Sequence, residues 1–194
     1  EEDVDGVVRT GLAMNDSILC IQGPPGTGKT YAGAKLILAL LEKGKRVGVT
    51  ANSHDAIWNL LLKVKELDSN ANRYRICKVE GEPRYNLFEK TGFIHEKSGR
   101  NAWALSHQLI GATAWTFSSE ESVGQLDHLI VDEAGQCSLA NLAAMSPSAK
   151  NIVLLGDQMQ LDQVTQGSHP GKSGLSCLSF YLEDHATIPP ERGI

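Results

Sequence analysis

The chain has 194 residues, a length that suits one sizeable α/β domain with its own core and is too short for two. Hydrophobic residues make up 41% and charged residues 21%, as in ordinary soluble globular domains, and no apolar run reaches the length of a membrane span. The net charge of −5 argues against a strongly basic nucleic-acid module, although a local groove can still bind nucleic acid. The sequence opens without a methionine, and we interpret it as part of a longer protein.

The four cysteines are scattered, with no C-x-x-C pair and no metal-ligand spacing relative to the six histidines. This pattern predicts reduced thiols in an intracellular, cytoplasmic protein rather than a disulfide framework, and it predicts no structural zinc. Each cysteine is expected to pack as a small apolar side chain.

Strand and helix patterns alternate along the chain. Apolar runs predict strands over 17–23, 46–51, 73–79, 107–117, 128–134 and 151–157. Helical patterns cover 29–44, closed by Gly44, and 53–67, with Ser53 as N-cap, and further helices are predicted over 139–145 and from 174. We interpret the Gly- and charge-rich segment 80–101 as a loop or small excursion. The alternation predicts an α/β fold with a mostly parallel sheet, helices on both faces, and ligands at the carboxyl ends of the strands.

The stretch "GPPGTGKT" fits the phosphate-loop pattern G-x-x-x-x-G-K-[ST] at every fixed position. It follows a predicted strand and opens a predicted helix, the context in which backbone N–H groups and a helix N-terminus bind phosphate. Lys29 would reach the β- and γ-phosphates, and the Thr30 hydroxyl would bind Mg²⁺. The alternative is a glycine-rich turn with a chance lysine. The predicted phosphate-binding residues are Gly23, Pro24, Pro25, Gly26, Thr27, Gly28, Lys29 and Thr30.

A second polar feature follows the predicted strand in "LIVDEAGQ", where Asp132 and Glu133 stand side by side. Two adjacent carboxylates at the end of a buried strand are costly unless a cation offsets their charge. A magnesium–nucleotide complex would do so, with Asp132 holding Mg²⁺ and Glu133 acting as general base towards water. The alternative is an acidic N-cap for the helix that follows.

Three stretches together resemble superfamily 1 helicases: "GPPGTGKT", "VDEAGQ" and "GDQMQL". The likeness is to the branch that contains the nonsense-mediated-decay RNA helicase and the DNA replication helicase–nucleases. The tail "ATIPPERGI" is similar to bacterial fusions of such a helicase with a RecB-like nuclease. The resemblance implies a RecA-like P-loop NTPase fold, Mg²⁺ and ATP as cofactors, and ATP hydrolysis coupled to translocation.

The resemblance also implies roles for three residues beyond the phosphate loop and the acid pair. Gln160 would bind the γ-phosphate as a sensor, and Gln136 would be a second sensor near the same phosphate. An amide can donate to a phosphate oxygen and accept from water, which suits a group that reports hydrolysis. Asp157 would link the nucleotide site to the nucleic-acid path. The alternative for Gln160 is a solvated turn residue.

Residues 50–61, "TANSHDAIWNLL", resemble the single-strand-binding motif of that branch, which usually reads A-P-S-N-x-A-V-D-x-L. Thr50, Ser53 and His54 would line the track of a single strand, DNA more than RNA, with Thr113 near the end of a neighbouring strand. His54 departs from the family, because asparagine is usual there. Trp115 or Phe117 would stack a base. The alternatives are that Ser53 only caps its helix and that both aromatic residues lie in the core.

Two elements of the family pattern are absent from the sequence. The glutamine that holds adenine lies upstream of the phosphate loop in the family, and Val4 stands near that position here. The arginines of a second RecA-like domain, which stabilise charge in the transferring phosphoryl group, would follow Ile194. We therefore interpret residues 1–194 as the first motor domain of a helicase. The same protein would contain a second motor domain and a nuclease domain. We expect the chain alone to hydrolyse little ATP. The alternative function is a nucleotide-gated binding module that does not unwind.

Overall fold

The structure, a computed structural model, describes residues 2–24, 26–68, 70, 73–104, 107–157 and 174–182. Within these residues, helices and strands alternate along most of the chain. The strands are β1 (Ile18–Gln22), β2 (Val47–Thr50), β3 (Ile76–Val79), β4 (Ile94–Glu96), β5 (Leu109–Gly111), β6 (Leu126–Val131) and β7 (Ala149–Gly156). The helices are α1 (Glu2–Ala13), α2 (Lys29–Glu42), α3 (His54–Leu67), α4 (Tyr85–Thr91), α5 (Gly99–Ala104), α6 (Ala114–Phe117), α7 (Leu139–Met145) and α8 (Cys177–Leu182).

All seven strands join one sheet in the order β1-β7-β6-β2-β5-β3-β4, and every pairing is parallel. The register pairs Gln22 with Gly156, and Thr50 with Val131. The carboxyl ends of β1, β7, β6 and β2 therefore meet at one edge of the sheet. The predicted α/β fold with a parallel sheet is confirmed, and this edge receives the predicted site residues.

Helices cover the sheet on both faces and divide its core into two apolar clusters. On one face, α2 contributes Leu36 and Ile37 and α3 contributes Leu60, each fully buried, and Val7 of α1 packs into the same cluster. On the other face, residues from α7 and α8, such as Leu142 and Cys177, pack against the sheet. Buried apolar residues recur along α3 at the spacing of a helix, which accounts for its regular formation.

The segment 80–101, expected to be a loop or small excursion, is more ordered than that. It contains α4, β4 and the start of α5, and β4 adds the edge strand of the sheet by pairing with β3. The reason is apolar burial: Phe93, just before β4, is 7% exposed and stacks on Trp58 with ring centroids 6.0 Å apart. A strand of only three residues carries too little periodicity to be recognised from sequence.

Two predicted strands are much shorter than expected, and the helices α1 and α6 were not predicted. The run 107–117 forms a strand only over β5, because the chain turns after Gly111 and begins α6 at Ala114. A Cβ on Gly111 would lie 2.6 Å from a methyl carbon of Leu61, so β5 and α3 approach closely there. The predicted strand 73–79 begins at Ile76. The helix α1 precedes the first predicted element.

Candidate functional site

The phosphate loop connects β1 to α2 and takes a conformation that depends on glycine. Gly26 and Gly28 have φ values of 82° and 87°, in the left-handed region that side chains disfavour. The Lys29 ammonium is folded over the loop and donates to the carbonyl oxygens of Pro24, at 2.8 Å, and Gly23. Two carbonyl oxygens of this loop thus bind the lysine that the sequence assigned to phosphate. Pro25 lies outside the described residues.

An open cleft of about 470 Å³ lies between the phosphate loop, α3 and the ends of β6 and β7. It brings together Lys29 and Thr30 from the loop with Asp132 and Glu133 from the end of β6, as the sequence predicted. Cations and carboxylates therefore face one another across a space large enough for a nucleotide. The lining residues are Gly26, Gly28, Lys29, Thr30, Tyr31, Ala56, Asn59, Lys63, Asp132, Glu133 and Gly156.

Sequence reasoning missed two polar residues of this cleft, Asn59 and Lys63 of α3. With Ala56 they follow the spacing i, i+3, i+7, which places all three on one face of the helix. The core side of α3 is apolar. The polar residues on the opposite face of the helix were the pattern from which Asn59 and Lys63 could have been predicted. Lys63 adds a second cation beside the phosphate loop, although it also pairs with Glu66 at 2.7 Å.

The Asp132 carboxylate is half-buried, and burial raises its pKa from 3.8 to about 6. The neighbouring Glu133 raises that pKa further, whereas the Glu133 N–H, which donates to Asp132 Oδ1 at 2.9 Å, and Lys29 lower it. A carboxylate in this setting gains from a cation that offsets its charge. The donor set of Thr30 hydroxyl and Asp132 carboxylate consists of hard oxygen atoms, the type that Mg²⁺ prefers, so these residues fit that ion.

The backbone at Glu133 is strained. Its φ of 54° and ψ of 41° lie in the left-handed region, where a residue other than glycine pays an energetic cost. Strain of this kind concentrates at functional sites, where the surrounding structure holds it in place. Here the strained turn directs the chain from β6 into the 3-10 turn Ala134–Gln136 and leaves Glu133 on the cleft.

That 3-10 turn packs directly on the end of β7. A Cβ on Gly135 would lie 2.8 Å from the carbonyl oxygen of Asp157, and a Cβ on Gly156 would lie 3.2 Å from the Gly135 nitrogen. The segment after the acid pair and the start of the third motif are thus in backbone contact. Asp157 is 3% exposed at this junction. Gln160, the predicted γ-phosphate sensor, lies outside the described residues.

A second, smaller cleft of about 190 Å³ opens at the carboxyl ends of β2, β5 and β6. Thr50 and Thr113, both predicted for the nucleic-acid path, line it together. The two predicted stacking candidates separate clearly, because Trp115 is 88% exposed at the rim of the cleft and Phe117 is fully buried in the core. The lining residues are Thr50, Ala51, Asn52, Thr113, Ala114, Trp115, Val131, Cys137, Asn141 and Met145.

Two of the predicted nucleic-acid residues do not line this cleft. Ser53 caps α3, since its hydroxyl accepts a hydrogen bond from the Ala56 N–H at 3.1 Å. His54, the first residue of α3, places its Nδ1 atom 2.8 Å from the Nζ atom of Lys78 in β3. Both residues stand at the N-terminus of α3, beside the end of β2 that leads into the cleft.

A hydrogen bond joins the two clefts. The side-chain N–H of Asn52, in the lining of the second cleft, donates to Gln136 Oε1 at 3.4 Å. Gln136 belongs to the turn that follows Glu133. The predicted second sensor is therefore positioned between the carboxylates of one cleft and the threonines of the other. Asn52 was not singled out from the sequence, because the related motif has proline, which lacks a polar side chain, at this position.

The chain is similar to known proteins over most of its length. Residues 5–172 match the family described as AAA domain. The chain belongs to this family. The protein named DNA replication ATP-dependent helicase/nuclease dna2, from Schizosaccharomyces pombe, is 32% identical over 186 residues, which span 94% of this chain and 13% of that protein. The RecBCD enzyme subunit RecD of Buchnera aphidicola is 29% identical over 183 residues, 89% of this chain and 27% of the subunit.

Solved structures share the fold at low sequence identity. The UvsW helicase of bacteriophage T4 superposes with a TM-score of 0.55 at 16% identity, covering 79% of this chain and 51% of that one. The arterivirus nonstructural protein 10 helicase, solved with DNA, has a TM-score of 0.51 at 20% identity, covering 86% and 34%. These structures confirm the RecA-like α/β fold. The family match and the dna2 and RecD relatives confirm the resemblance to superfamily 1 helicases. Among the described residues, no helix has the length and apolar character needed to cross a bilayer.

Proposed function

We propose that the chain is the nucleotide-binding motor domain of an ATP-dependent nucleic-acid helicase or translocase. The observation that supports this most strongly is the convergence of Lys29, Thr30, Asp132 and Glu133, from two separate strand ends, on one cleft. The name of the dna2 relative, an ATP-dependent helicase/nuclease, agrees with this chemistry. The chain spans only 13% of the dna2 relative and 27% of the RecD relative. The helicase activity of the whole protein is therefore proposed together with the role of this domain.

In the proposed reaction, the phosphate loop and the N-terminus of α2 bind the phosphates of ATP through backbone N–H groups. Lys29 exchanges its bonds to the Pro24 and Gly23 carbonyls for phosphate oxygens. Thr30 and Asp132 would hold Mg²⁺, which neutralises charge on the phosphates when bound. Glu133 accepts a proton from the attacking water. Gln136 and Gln160 are proposed as the γ-phosphate sensors, with Asp157 linking them to the nucleic-acid path.

The second cleft is proposed as the path of single-stranded nucleic acid. Backbone phosphates of the strand would bind to the hydroxyls of Thr50 and Thr113 and to the N-terminus of α3, at Ser53 and His54. Such contacts do not depend on the base sequence. The exposed Trp115 ring at the rim would stack a base. The DNA replication names of several relatives favour DNA over RNA as the strand. Stacking predicts that Trp115→Ala weakens oligothymidylate binding by about 1–3 kcal/mol, measured by fluorescence anisotropy.

We further propose that residues 1–194 form the first of two RecA-like domains, and that a nuclease domain belongs to the same protein. The printed name of the dna2 relative, a helicase/nuclease, supports the second part of this statement. The arginines that complete hydrolysis would come from the second motor domain, where such residues are worth about 10³–10⁵ in rate. The chain alone is therefore expected to bind Mg²⁺–ATP and to hydrolyse it slowly.

The test is ATP hydrolysis by the longer protein that contains this chain, with and without single-stranded DNA. Glu133→Gln removes the general base and is expected to lower the stimulated rate by about 10²–10⁴ with nucleotide binding retained. Glu89→Gln, an exposed carboxylate of α4, is the matched control and should keep the full rate. A Glu133→Gln protein that still hydrolyses ATP at the control rate would contradict the assignment.

A second function is favoured by the Asn52–Gln136 hydrogen bond. A contact that joins both clefts can transmit nucleotide binding to the nucleic-acid site without any hydrolysis. In this reading the protein is a nucleotide-gated binding module that does not unwind. Nucleotide-dependent DNA affinity, combined with hydrolysis that neither DNA nor RNA stimulates, would favour the module over the motor.

A further inference from the structure

A buried lysine lies directly beneath the start of α3. Lys78 of β3 has no exposed side-chain surface, and its ammonium lies at the carboxyl end of the strand. The Nζ atom is 2.8 Å from Nδ1 of His54, 2.9 Å from the carbonyl oxygen of Val79 and 3.6 Å from Oε2 of Glu80. The first two contacts are hydrogen bonds, and the third is an ion pair. Lys78 is therefore fixed in position and directed at the imidazole.

The carboxylate of Glu80 is held as firmly as the lysine. Its Oε2 atom accepts a hydrogen bond from Trp58 Nε1 at 3.1 Å, and Oε1 accepts from the Arg84 N–H at 3.3 Å. Its backbone carbonyl lies 2.8 Å from Nε2 of His95. Glu80 is 6% exposed, so this arrangement is shielded from water. A buried charge pair with each partner hydrogen-bonded is a rigid support for the side chain above it.

An ammonium can only donate hydrogen bonds, so the atom facing it at 2.8 Å must be an acceptor. We propose that Lys78 is a positioning residue that holds His54 as the neutral imidazole with its proton on Nε2, ready to donate to a backbone phosphate of the bound strand. The last clause rests on the proposed nucleic-acid function of the N-terminus of α3. Within the described residues, Nε2 of His54 makes no hydrogen bond, and the side chain is 41% exposed.

The charges around the ring act together with this geometry. Burial lowers the pKa of His54, and the Lys78 ammonium lowers it further. Glu80 opposes the shift with its Oε2 atom 3.7 Å from Nδ1, Arg84 lowers the pKa as well, and Asp55 raises it. The net direction is down, which keeps the imidazole neutral at physiological pH. Burial also lowers the pKa of Lys78 to about 8, so the ammonium persists at neutral pH.

This arrangement gives a physical reason for histidine at a position where the related motif usually has asparagine. A neutral imidazole with a proton on Nε2 presents one uncharged N–H donor, as an asparagine amide does. The contact to a phosphate then keeps the same strength across the pH range in which an ordinary histidine titrates. Lys78 thus converts a pH-sensitive side chain into a constant donor.

The first measurement needs no variant. Two-dimensional ¹⁵N NMR of the imidazoles, in the chain without nucleic acid, distinguishes the two neutral tautomers and the imidazolium. His54 is expected as the Nε2–H tautomer at neutral pH, and it should protonate at a lower pH than an unperturbed histidine does. His54→Asn assigns the signal. An Nδ1–H tautomer, or titration at about 6.5, overturns the proposal.

The second measurement uses Lys78→Met, which removes the ammonium and keeps an unbranched apolar side chain of similar length. His54 then protonates beside Glu80 as the pH falls, and a charged donor binds phosphate more strongly than a neutral one. Oligothymidylate affinity should rise about fivefold from about pH 8 to about pH 6, against less than about twofold in the unmodified chain. In the double variant Lys78→Met, His54→Asn, the added pH dependence should disappear.

The outcomes separate this proposal from the proposed function. If the NMR result holds and the Lys78→Met chain gains no His54-dependent pH effect, the proposed phosphate contact is overturned. The effect of Trp115→Ala on oligothymidylate binding tests the second cleft independently of His54. If Trp115→Ala leaves the affinity unchanged while the His54-dependent effect is present, the proposed path of the strand through the second cleft is contradicted. The proposed role of Lys78 is then still supported.

Discussion

The ionised carboxylate of Asp132 is predicted to destabilise the folded chain when no cation is bound. Its pKa in the folded chain is about 6, against an ordinary value of 3.8, a difference of roughly 2 units. Each unit corresponds to about 1.36 kcal/mol, so ionised Asp132 costs at most about 3 kcal/mol of folding free energy above pH 6. Below about pH 4 the carboxyl is protonated in the folded and the unfolded chain alike, and the cost disappears.

Asp132→Asn replaces the carboxylate by a neutral amide of the same shape and removes this cost. Urea denaturation without nucleotide or Mg²⁺ should show the variant more stable than the parent by up to about 3 kcal/mol at about pH 7.5, and equal to it near pH 4. Stability gained by removing a functional charge is a general feature of active sites.

Asp127, at the opposite end of β6, is the matched control. Burial alone raises its pKa, but the Arg46 N–H, 3.0 Å from Oδ2, and the Lys45 ammonium lower it below the ordinary value. Asp127→Asn should therefore lower stability at about pH 7.5, the opposite sign on the same strand. An Asp132→Asn chain that is equal to or less stable than the parent at this pH would refute the electrostatic account.

Three further substitutions test the packing. Gly135→Ala puts a methyl group 2.8 Å from the Asp157 carbonyl oxygen and should lower the melting temperature by roughly 2–12 °C, whereas Gly81→Ala, with open space around it, should change little. Gly6→Ala, in α1 with no atom within 4 Å of the new methyl, should raise the free energy of unfolding by about 0.5–1 kcal/mol in urea titrations. Trp58→Phe deprives a buried carboxylate of a donor at 3.1 Å and should cost about 1.5–3 kcal/mol by the same method.

The motif residues that line the first cleft were predictable because their motifs are local in sequence. Strand, glycine-rich turn and helix follow one another around Lys29 and Thr30, and Asp132 and Glu133 end an apolar run. These two pairs of residues lie far apart in the chain and come together only through the sheet. Because ligands of parallel sheets bind at the carboxyl ends of strands, the prediction that these residues share one edge did not need the strand order.

The second cleft was less predictable because it depends on that order. Thr50 and Thr113 meet because β2 and β5 are neighbours in the sheet, although two other strands separate them in the chain. Lys78, the hydrogen-bond partner of His54, lies in a third strand, β3, and belongs to no recognised sequence motif. The exposure of Trp115 and the burial of Phe117 follow from the short helix α6, where the sequence suggested a continuous strand.

The position of β1 at the edge of the sheet has a consequence for biosynthesis. Its neighbour in the sheet is β7, and the contact between them includes a hydrogen bond from the Ser17 N–H to Asn151 Oδ1 across 134 residues. Contacts between such distant segments form slowly, because a long loop must close first. During synthesis β1 is made before β7, so it has to wait until residues 149–156 are available before it can pair. A nascent chain stopped before Ala149 therefore holds an apolar strand with no partner in the described sheet.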